Sequence, residues 1–300
     1  MLHEKFSLRG RTAFVTGSAR GIGRAIALGL AEFGAHVVVH GSRESAPLEG
    51  TLTLVRQYDP NAQKAVADLS DPEAVEHIFD GLPATPDILV CNASIQSNMK
   101  WYEVPRETML AQMQVNFNAT FRLFQLCYPR LKAQRWGRLI TVGSVQERRP
   151  HPEMPVYSAS KSAQENLVRS IARQVAGEGI TVNNLCPGVF ATDRNREALG
   201  NPVYAEKVLA AIPMHDYARP RHEGMRTLFL HTSDDDHASP ALRLHVRVGK
   251  LEHLERGVEV HLHLPGHVRL GDLIPGDVLL HRGVADDDIR LHASSLLLSR

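Results

Sequence analysis

"TAFVTGSARGIGRAIALGLAEFG", residues 12–34, decides the fold. Its opening, Thr12–Gly17, is a short apolar run without a polar face, the pattern of a strand covered on both sides. Gly21–Gly34 then sets apolar residues at helical spacing and stops on a glycine. Between strand and helix lie Gly17, Arg20, Gly21, Ile22 and Gly23. Glycines at those points let the backbone turn sharply and let a ligand approach it closely. The helix start offers free N–H groups and the positive end of a dipole to a diphosphate. A glycine-rich run alone is weak evidence, but one set between a first strand and a first helix reads as a dinucleotide cradle. The alternative is a tight turn with no ligand.

The alternation continues outward from this stretch. Ala35–His40 reads as a second strand, and "NAQKAVADLS" (61–70) ends a third near Ala67. Asp71 is placed to cap a helix with Pro72 at its first position. "PDILVCNAS" (86–94) carries a fourth strand, a long helix fills Arg106–Gln134, and "GRLITVGS" (137–144) is a fifth strand. A Pro-rich loop precedes a helix holding "VYSASKSAQENL" (156–167), and "GITVNNLCPG" (179–188) is a sixth strand. Doubly covered strands separated by helices predict an α/β fold, a doubly wound Rossmann-like parallel sheet with helices on both faces.

After about Met214 the composition shifts, and nine of the 16 histidines lie from His231 onward. "VEVHLHL" (258–264), "HVRL" (267–270) and "DVLLH" (277–281) alternate like short strands. The expected organisation is one Rossmann-like domain over 1–250, including its substrate loops, and an atypical β-rich or irregular extension over 251–300. His261 and His263 would share a strand face, but no Cys or carboxylate set accompanies them, so solvated histidines and no metal are expected. The net charge of +1, from 34 basic and 33 acidic residues, gives no electrostatic reason to expect nucleic acid or an anionic membrane. No apolar run reaches the roughly 20 residues that span a bilayer. Cys91, Cys127 and Cys186 are few and far apart, which reads as buried structural thiols in a reducing cytoplasm.

Several further motifs follow the cradle in order: "CNAS" (91–94), Asn116 in "QVNFNAT", Ser144 in "TVGS", Tyr157 and Lys161 four apart, and "CPG" (186–188) with Thr192 beyond it. Together they resemble the short-chain dehydrogenase/reductase family over about Leu8–Pro220, with members of the 3-oxoacyl thioester reductase and sugar dehydrogenase kinds. The resemblance implies that Asn116, Ser144, Tyr157 and Lys161 are catalytic, with Asn116 holding the helix and a water that links Lys161 to solvent. It implies that Asn92, Ala93, Pro187, Gly188 and Thr192 bind a nicotinamide cofactor beside the cradle residues, Tyr157 and Lys161. Asp68 and Leu69 resemble the family's adenine-contacting pair, and a turn or cap role for Asp68 stands beside that reading. It also implies a homo-oligomer, dimer or tetramer. In the family a last strand ends in Asp-Gly-Gly. Here "RLHVRVGK" (243–250) takes its place and departs from it.

The second strand ends on Gly41, followed by Ser42 and Arg43, where members preferring NAD(H) carry an acidic residue. With no carboxylate there, and with Arg20 and Arg43 able to pair a 2′-phosphate, NADP(H) is favoured and NAD(H) is the alternative. Reducing a carbonyl makes an alkoxide that needs a proton. A phenol can give one, though its ordinary pKa near 10 is high for the task, and a cation one helical turn away lowers it. Ser144 would hydrogen-bond the carbonyl oxygen. The substrate is expected from loops 94–101, 145–155 and 189–212. Gln146, Arg148, Arg149, His151, Glu153, Arg194 and Arg196 there point to a polar or anionic carbonyl such as a sugar, a keto acid or a carrier thioester. The reading is an NADP(H)-dependent carbonyl/alcohol oxidoreductase. A non-catalytic cofactor-binding sensor or scaffold is the alternative.

Overall fold

Phe14 and Val15 are consecutive, both fully buried, and belong to two different hydrophobic clusters. That is what a strand covered on both faces requires. The computed structural model describes residues 6–82, 84–212 and 216–218, together with the backbone of 259–262, 280–282 and 289–292. Six strands, β1 (Thr12–Val15), β2 (His36–Gly41), β3 (Gln63–Val66), β4 (Ile88–Cys91), β5 (Gly137–Val142) and β6 (Ile180–Leu185), form one sheet in the order 3-2-1-4-5-6. Every pairing is parallel; Phe14 lies opposite Val38 on one side and Leu89 on the other. The strand order reverses between β1 and β4, so the carboxyl ends of those strands flank the crevice where such sheets take a ligand.

On one face lie α1 (Gly21–Glu32) and α2 (Ala46–Val55), which add Ile26, Leu30, Leu48, Leu52 and Val55 to the cluster of Ala13, Val37 and Val90. On the other lie α3 (Pro72–Glu76), α4 (Arg106–Met113), a π-helical turn (Gln114–Asn118), α5 (Ala119–Gln134) and α6 (Pro155–Val175). Leu123, Phe124, Leu131 and Val168 pack there against Phe14, Val38, Leu89 and Leu139. Asp71 does cap α3, its side chain accepting the Glu73 N–H at 3.0 Å.

Three differences from the sequence reading appear. Helix α2 was not expected, because Gly50, Thr51 and Thr53 weaken its helical signal. Its real start signals are Ser45, whose side chain accepts the Leu48 N–H, and Pro47 just inside. The 189–212 stretch, expected as a loop, holds α7 (Arg196–Gly200) and α8 (Pro202–Ala210). Cys91 and Cys127 are buried, but Cys186 is exposed, because it lies beyond the end of β6 where the chain leaves the sheet.

The chain divides into two compact units, Met1–Ala238 and Ser239–Arg300. In the second, β7 (Glu259–Leu262), β8 (Leu280–Arg282) and β9 (Ile289–His292) form an antiparallel sheet in the order 7-9-8. The expected strand at 243–250, the run "HVRL", His263 and the side chain of His261 lie outside the described residues. Among the described residues no helix is long and apolar enough to cross a membrane, and no three His, Cys, Asp or Glu side chains cluster as metal ligands.

His40, at the end of β2, ties the sheet to the glycine loop. Its Nδ1 accepts the Gly17 N–H at 3.0 Å and its Nε2 donates to the Ala67 carbonyl at 3.0 Å. Both partners suit the neutral ring, and burial lowers its pKa to about 4. An unfolded histidine titrates near 6.5, so between these values the unfolded chain binds one more proton. The stability contributed by the neutral ring is complete above pH 6.5 and is lost as pH falls toward 4. Between pH 7 and pH 5 the wild type should lose about 2 kcal/mol through this group. Urea unfolding of His40→Asn should lack that component. Equal pH slopes in the two proteins would sink the assignment.

Candidate active site

The cradle is knotted to β4 by one hydroxyl. Thr16 Oγ1 accepts the N–H groups of Asn92 and Ala93, each at 2.9 Å. Asn92 Nδ2 returns bonds to the carbonyls of Thr16 at 2.9 Å and Gly17 at 3.0 Å. Gly17 and Gly21 hold φ of 62° and 61°, the left-handed region that favours glycine. A Cβ on Gly17 would lie 2.9 Å from the Ala93 Cα, and one on Gly23 would lie 2.6 Å from the Gly17 carbonyl oxygen. A Cβ on Gly21 would meet only the Thr192 side chain, at 3.6 Å, which places Thr192 over the loop. Arg20 precedes α1 and is exposed, while Ile22 is half-buried against the first cluster. The cradle therefore has the close backbone and the open helix start that a diphosphate needs.

At the end of β2, Gly41 is buried and Arg43 is exposed. Among the described residues neither Arg20 nor Arg43 has a carboxylate within ion-pair distance. The neighbouring carboxylate, Glu44, is tied to Lys64 at 2.8 Å. Asp68 accepts from the Ser70 N–H at 2.9 Å and the Ser70 hydroxyl at 2.8 Å, which is a turn role. The Leu69 side chain is buried in the second cluster, so any contact it makes with a ligand is limited to its backbone. Pro187 is half-buried and Gly188 exposed, just beyond β6.

Tyr157, Lys161 and Asn116 are all buried, and Ser144 is half-buried beyond β5. Lys161 Nζ lies 5.9 Å from the centre of the Tyr157 ring and donates to the Val142 carbonyl at 2.7 Å. Burial, then the charge of Arg194, lowers its pKa to about 7, against the opposing pull of Cys91 and Glu147. Ser144 caps the turn Val145–Glu147, its Oγ accepting the Gln146 N–H at 3.2 Å and leaving its own hydrogen to give. That turn is bolted to α6: Ser158 Oγ donates to Gln146 Oε1 and Ser162 Oγ to the Glu147 carbonyl, both at 2.9 Å. The hydroxyl and the phenol are thus carried by one braced unit.

Asn116 sits in the π-helical turn, a deviation often found at functional sites. Its side chain exchanges two 2.9 Å bonds with the backbone of Ile95 and donates to Ser160 Oγ at 3.0 Å. Its carbonyl accepts from Gln164 Nε2 at 3.2 Å, and Gln164 Oε1 accepts from Lys161 Nζ at 3.1 Å. A fully buried glutamine thus joins Lys161 to Asn116 directly. Sequence reasoning missed Gln164; its signal was a polar residue on the buried face of α6, three positions after Lys161. Glu147 was noticed by neither charge nor position, yet it holds the Asn184 amide at 3.0 Å and closes a capping box with Ser144. That box is legible as Ser-x-x-Glu.

A family model described as short chain dehydrogenase matches residues 11–201. The 2-dehydro-3-deoxy-D-gluconate 5-dehydrogenase of Bacillus subtilis is 32% identical, over 79% of this chain and 94% of that protein. A crystal structure of a 3-oxoacyl (acyl-carrier-protein) reductase from Agrobacterium tumefaciens with NADP bound is 36% identical. It covers 77% of this chain and 90% of its own, at a TM-score of 0.70. A gluconate 5-dehydrogenase from Burkholderia cenocepacia, in complex with NADP and tartrate, is 30% identical, covering 73% and 87%, at a TM-score of 0.67.

Replacing Gln164 with Leu would leave buried polar groups of Lys161, Asn116 and Thr120 each short of one partner. Chemical denaturation should show a loss of about 1–3 kcal/mol, the cost of unmet buried groups. An unchanged unfolding midpoint would mean that the amide contributes nothing.

Proposed function

The chain belongs to the short-chain dehydrogenase family, and from that premise we propose that it is an NADP(H)-dependent oxidoreductase interconverting a ketone or aldehyde and its alcohol, with Tyr157 as general acid and base. The observation that carries the reading is the buried ammonium of Lys161, 5.9 Å from the Tyr157 ring on the helix braced to the Ser144 turn. When bound, the nicotinamide supplies or takes up the hydride. In the reducing direction the Ser144 hydroxyl donates to the carbonyl oxygen and stabilises the charge developing there. Tyr157 passes its proton to the same oxygen, and the Lys161 ammonium stabilises the phenolate left behind. Asn116, through Ser160 and Gln164, keeps the helix and the ammonium in register. Oxidation runs through the same groups in reverse.

Gly17, Gly21, Ile22, Gly23 and Thr192 would hold the diphosphate, with Asn92, Ala93, Pro187 and Gly188 along the nicotinamide half and Asp68 and Leu69 at the adenine. Two arginines without carboxylate partners, Arg20 and Arg43, stand ready for a 2′-phosphate, with Gly41 where a ribose-binding carboxylate would repel it. The Agrobacterium and Burkholderia neighbours, both with NADP, support this choice. Relatives named for sugar acids and for a carrier thioester support a polar carbonyl substrate. Met109, Leu110 and Phe121, exposed along α4 and α5, support a homo-oligomer. Three free cysteines fit a reducing cytoplasm.

Tyr157→Phe should still bind NADPH, followed by its fluorescence, while turnover of a carbonyl panel falls about 10²- to 10⁴-fold. Cofactor binding by the wild type without turnover of any carbonyl would instead favour a sensor or scaffold. Arg43→Ala should weaken NADPH about tenfold, some 1.4 kcal/mol, and leave NADH unchanged. Tighter binding of NADH than NADPH by the wild type would overturn the cofactor choice.

A further inference from the structure

The arginines of the expected substrate loops differ in how they are used. Arg148 is paired with Glu165 at 2.9 Å, and Arg196 with Asp193 on its own short turn. Arg149 is exposed on the turn after β5. Arg194 has no carboxylate within ion-pair distance among the described residues. Its guanidinium rests on Ser94 instead: Nη1 donates to Oγ at 2.8 Å and Nη2 to the carbonyl.

The strand order says where that contact lies. Ser94 follows β4, Arg194 follows β6, and β5 runs between the two. Neighbouring strands are about 4.8 Å apart, so the link bridges roughly 10 Å across the carboxyl end of β5. Ser144 sits at that end, and α6 with Tyr157 is braced to it. Ser94 is also joined to the Asn116 network through its neighbour Ile95. The contact therefore crosses the end of the sheet where the reacting groups lie, and the guanidinium is held there by neutral acceptors.

We propose that Arg194 anchors a carboxylate of the carbonyl substrate, so that the substrate is a keto acid and its alcohol a hydroxy acid. This rests on the carbonyl/alcohol reading above. Ser94 is a neutral resting place; a carboxylate accepts from the same fork of N–H groups with opposite charge and better geometry. The local electrostatics agree. Arg194 is exposed as a residue, yet enough protein surrounds its guanidinium to push its pKa below the usual arginine range, with Tyr157 opposing and Arg20 adding to the shift. Its charge also helps to lower the pKa of Lys161. Two cations thus act on one small site, and the nearby carboxylate, Glu147, is already held by Asn184. A cleft of that kind attracts an anion.

The cofactor diphosphate is the rival anion, and the test separates the two. Wild type, Arg194→Gln and Arg194→Lys are assayed with NADPH on a panel of keto acids and their methyl esters, and NADPH affinity is measured by fluorescence. The wild type should prefer acids to esters. The Gln variant should lose about 100-fold in kcat/KM on acids, chiefly through KM, and far less on esters, so that the acid-to-ester ratio collapses while NADPH affinity stays within about twofold. The Lys variant should recover part of the loss. Equal use of acids and esters by the wild type overturns the proposal while leaving carbonyl reduction standing. So does weaker NADPH binding by the Gln variant with an unchanged acid-to-ester ratio, which would give Arg194 to the cofactor. Should no carbonyl be reduced, the reading above fails and calorimetry with tartrate on the NADPH-bound protein decides. Binding by the wild type that the Gln variant loses supports the anchor, and no binding by the wild type removes it.

Discussion

A lysine ammonium with no exposure to solvent must be hydrogen-bonded, and meeting that need organises the centre of this protein. Desolvating the charge costs several kcal/mol unless partners replace the water. Lys161 finds them in the Val142 carbonyl at the last residue of β5 and in the Gln164 amide on its own helix. The first bond pins α6 against the end of β5. The second is shared with the Asn116 carbonyl and so pins α6 against the π-helical turn. Tyr157, one turn earlier on α6, has little freedom left. The positions of phenol, ammonium and Ser144 turn all follow from satisfying one buried charge.

A comparable constraint acts at the other end of the crevice, with glycine in place of charge. Gly17 and Gly23 have no room for a Cβ, because the Ala93 backbone, the Asn92 side-chain amide and the loop's own carbonyl come too close. That crowding makes the turn tight enough to aim the start of α1 at a ligand. His40 holds the same loop from below, and it does so only as a neutral ring, because Gly17 presents it with a donor. The loop is thus fixed from β4 by the Thr16 hydroxyl and from β2 by an imidazole. The reactive half of the site leans on a buried cation, and the phosphate half leans on groups kept uncharged.

The sheet was legible because its strands must be apolar on both faces and its helices must carry an apolar stripe. The 12–34 stretch showed both periods and the glycines between them, and all six strands lie within about three residues of where those patterns put them. Helix α2 was hidden because its residues are poor helix formers and packing of Leu48, Leu52 and Val55 supplies what propensity lacks. The helices of 196–210 were hidden in the same way by a polar, glycine-bearing stretch. Asn116, Ser144, Tyr157 and Lys161 could be picked out by type and order. Gln164 and His40 could not, because each matters through a partner distant in sequence that only the fold supplies: Asn116 and Gly17. Glu147 was legible as the end of a Ser-x-x-Glu box, but its hold on Asn184 was not.

Charged loop residues show the same limit most sharply. By sequence, Arg148, Arg194 and Arg196 are alike: each is a basic residue in a polar stretch beside the expected site. The fold separates them by what they meet. Glu165, a full turn beyond Lys161 on α6, takes up Arg148, and Asp193 takes up Arg196. Arg194 lies between Asp193 and Arg196 in the chain, but its side chain crosses to Ser94, a hundred residues away. A pairing with a carboxylate satisfies a charge and makes it ordinary. A charge that bridges two loops over a buried phenol and ammonium remains unsatisfied, and an unsatisfied charge is free to bind. The specificity of such a site is therefore written less in which residues its loops contain than in which of their charges the fold leaves unpaired.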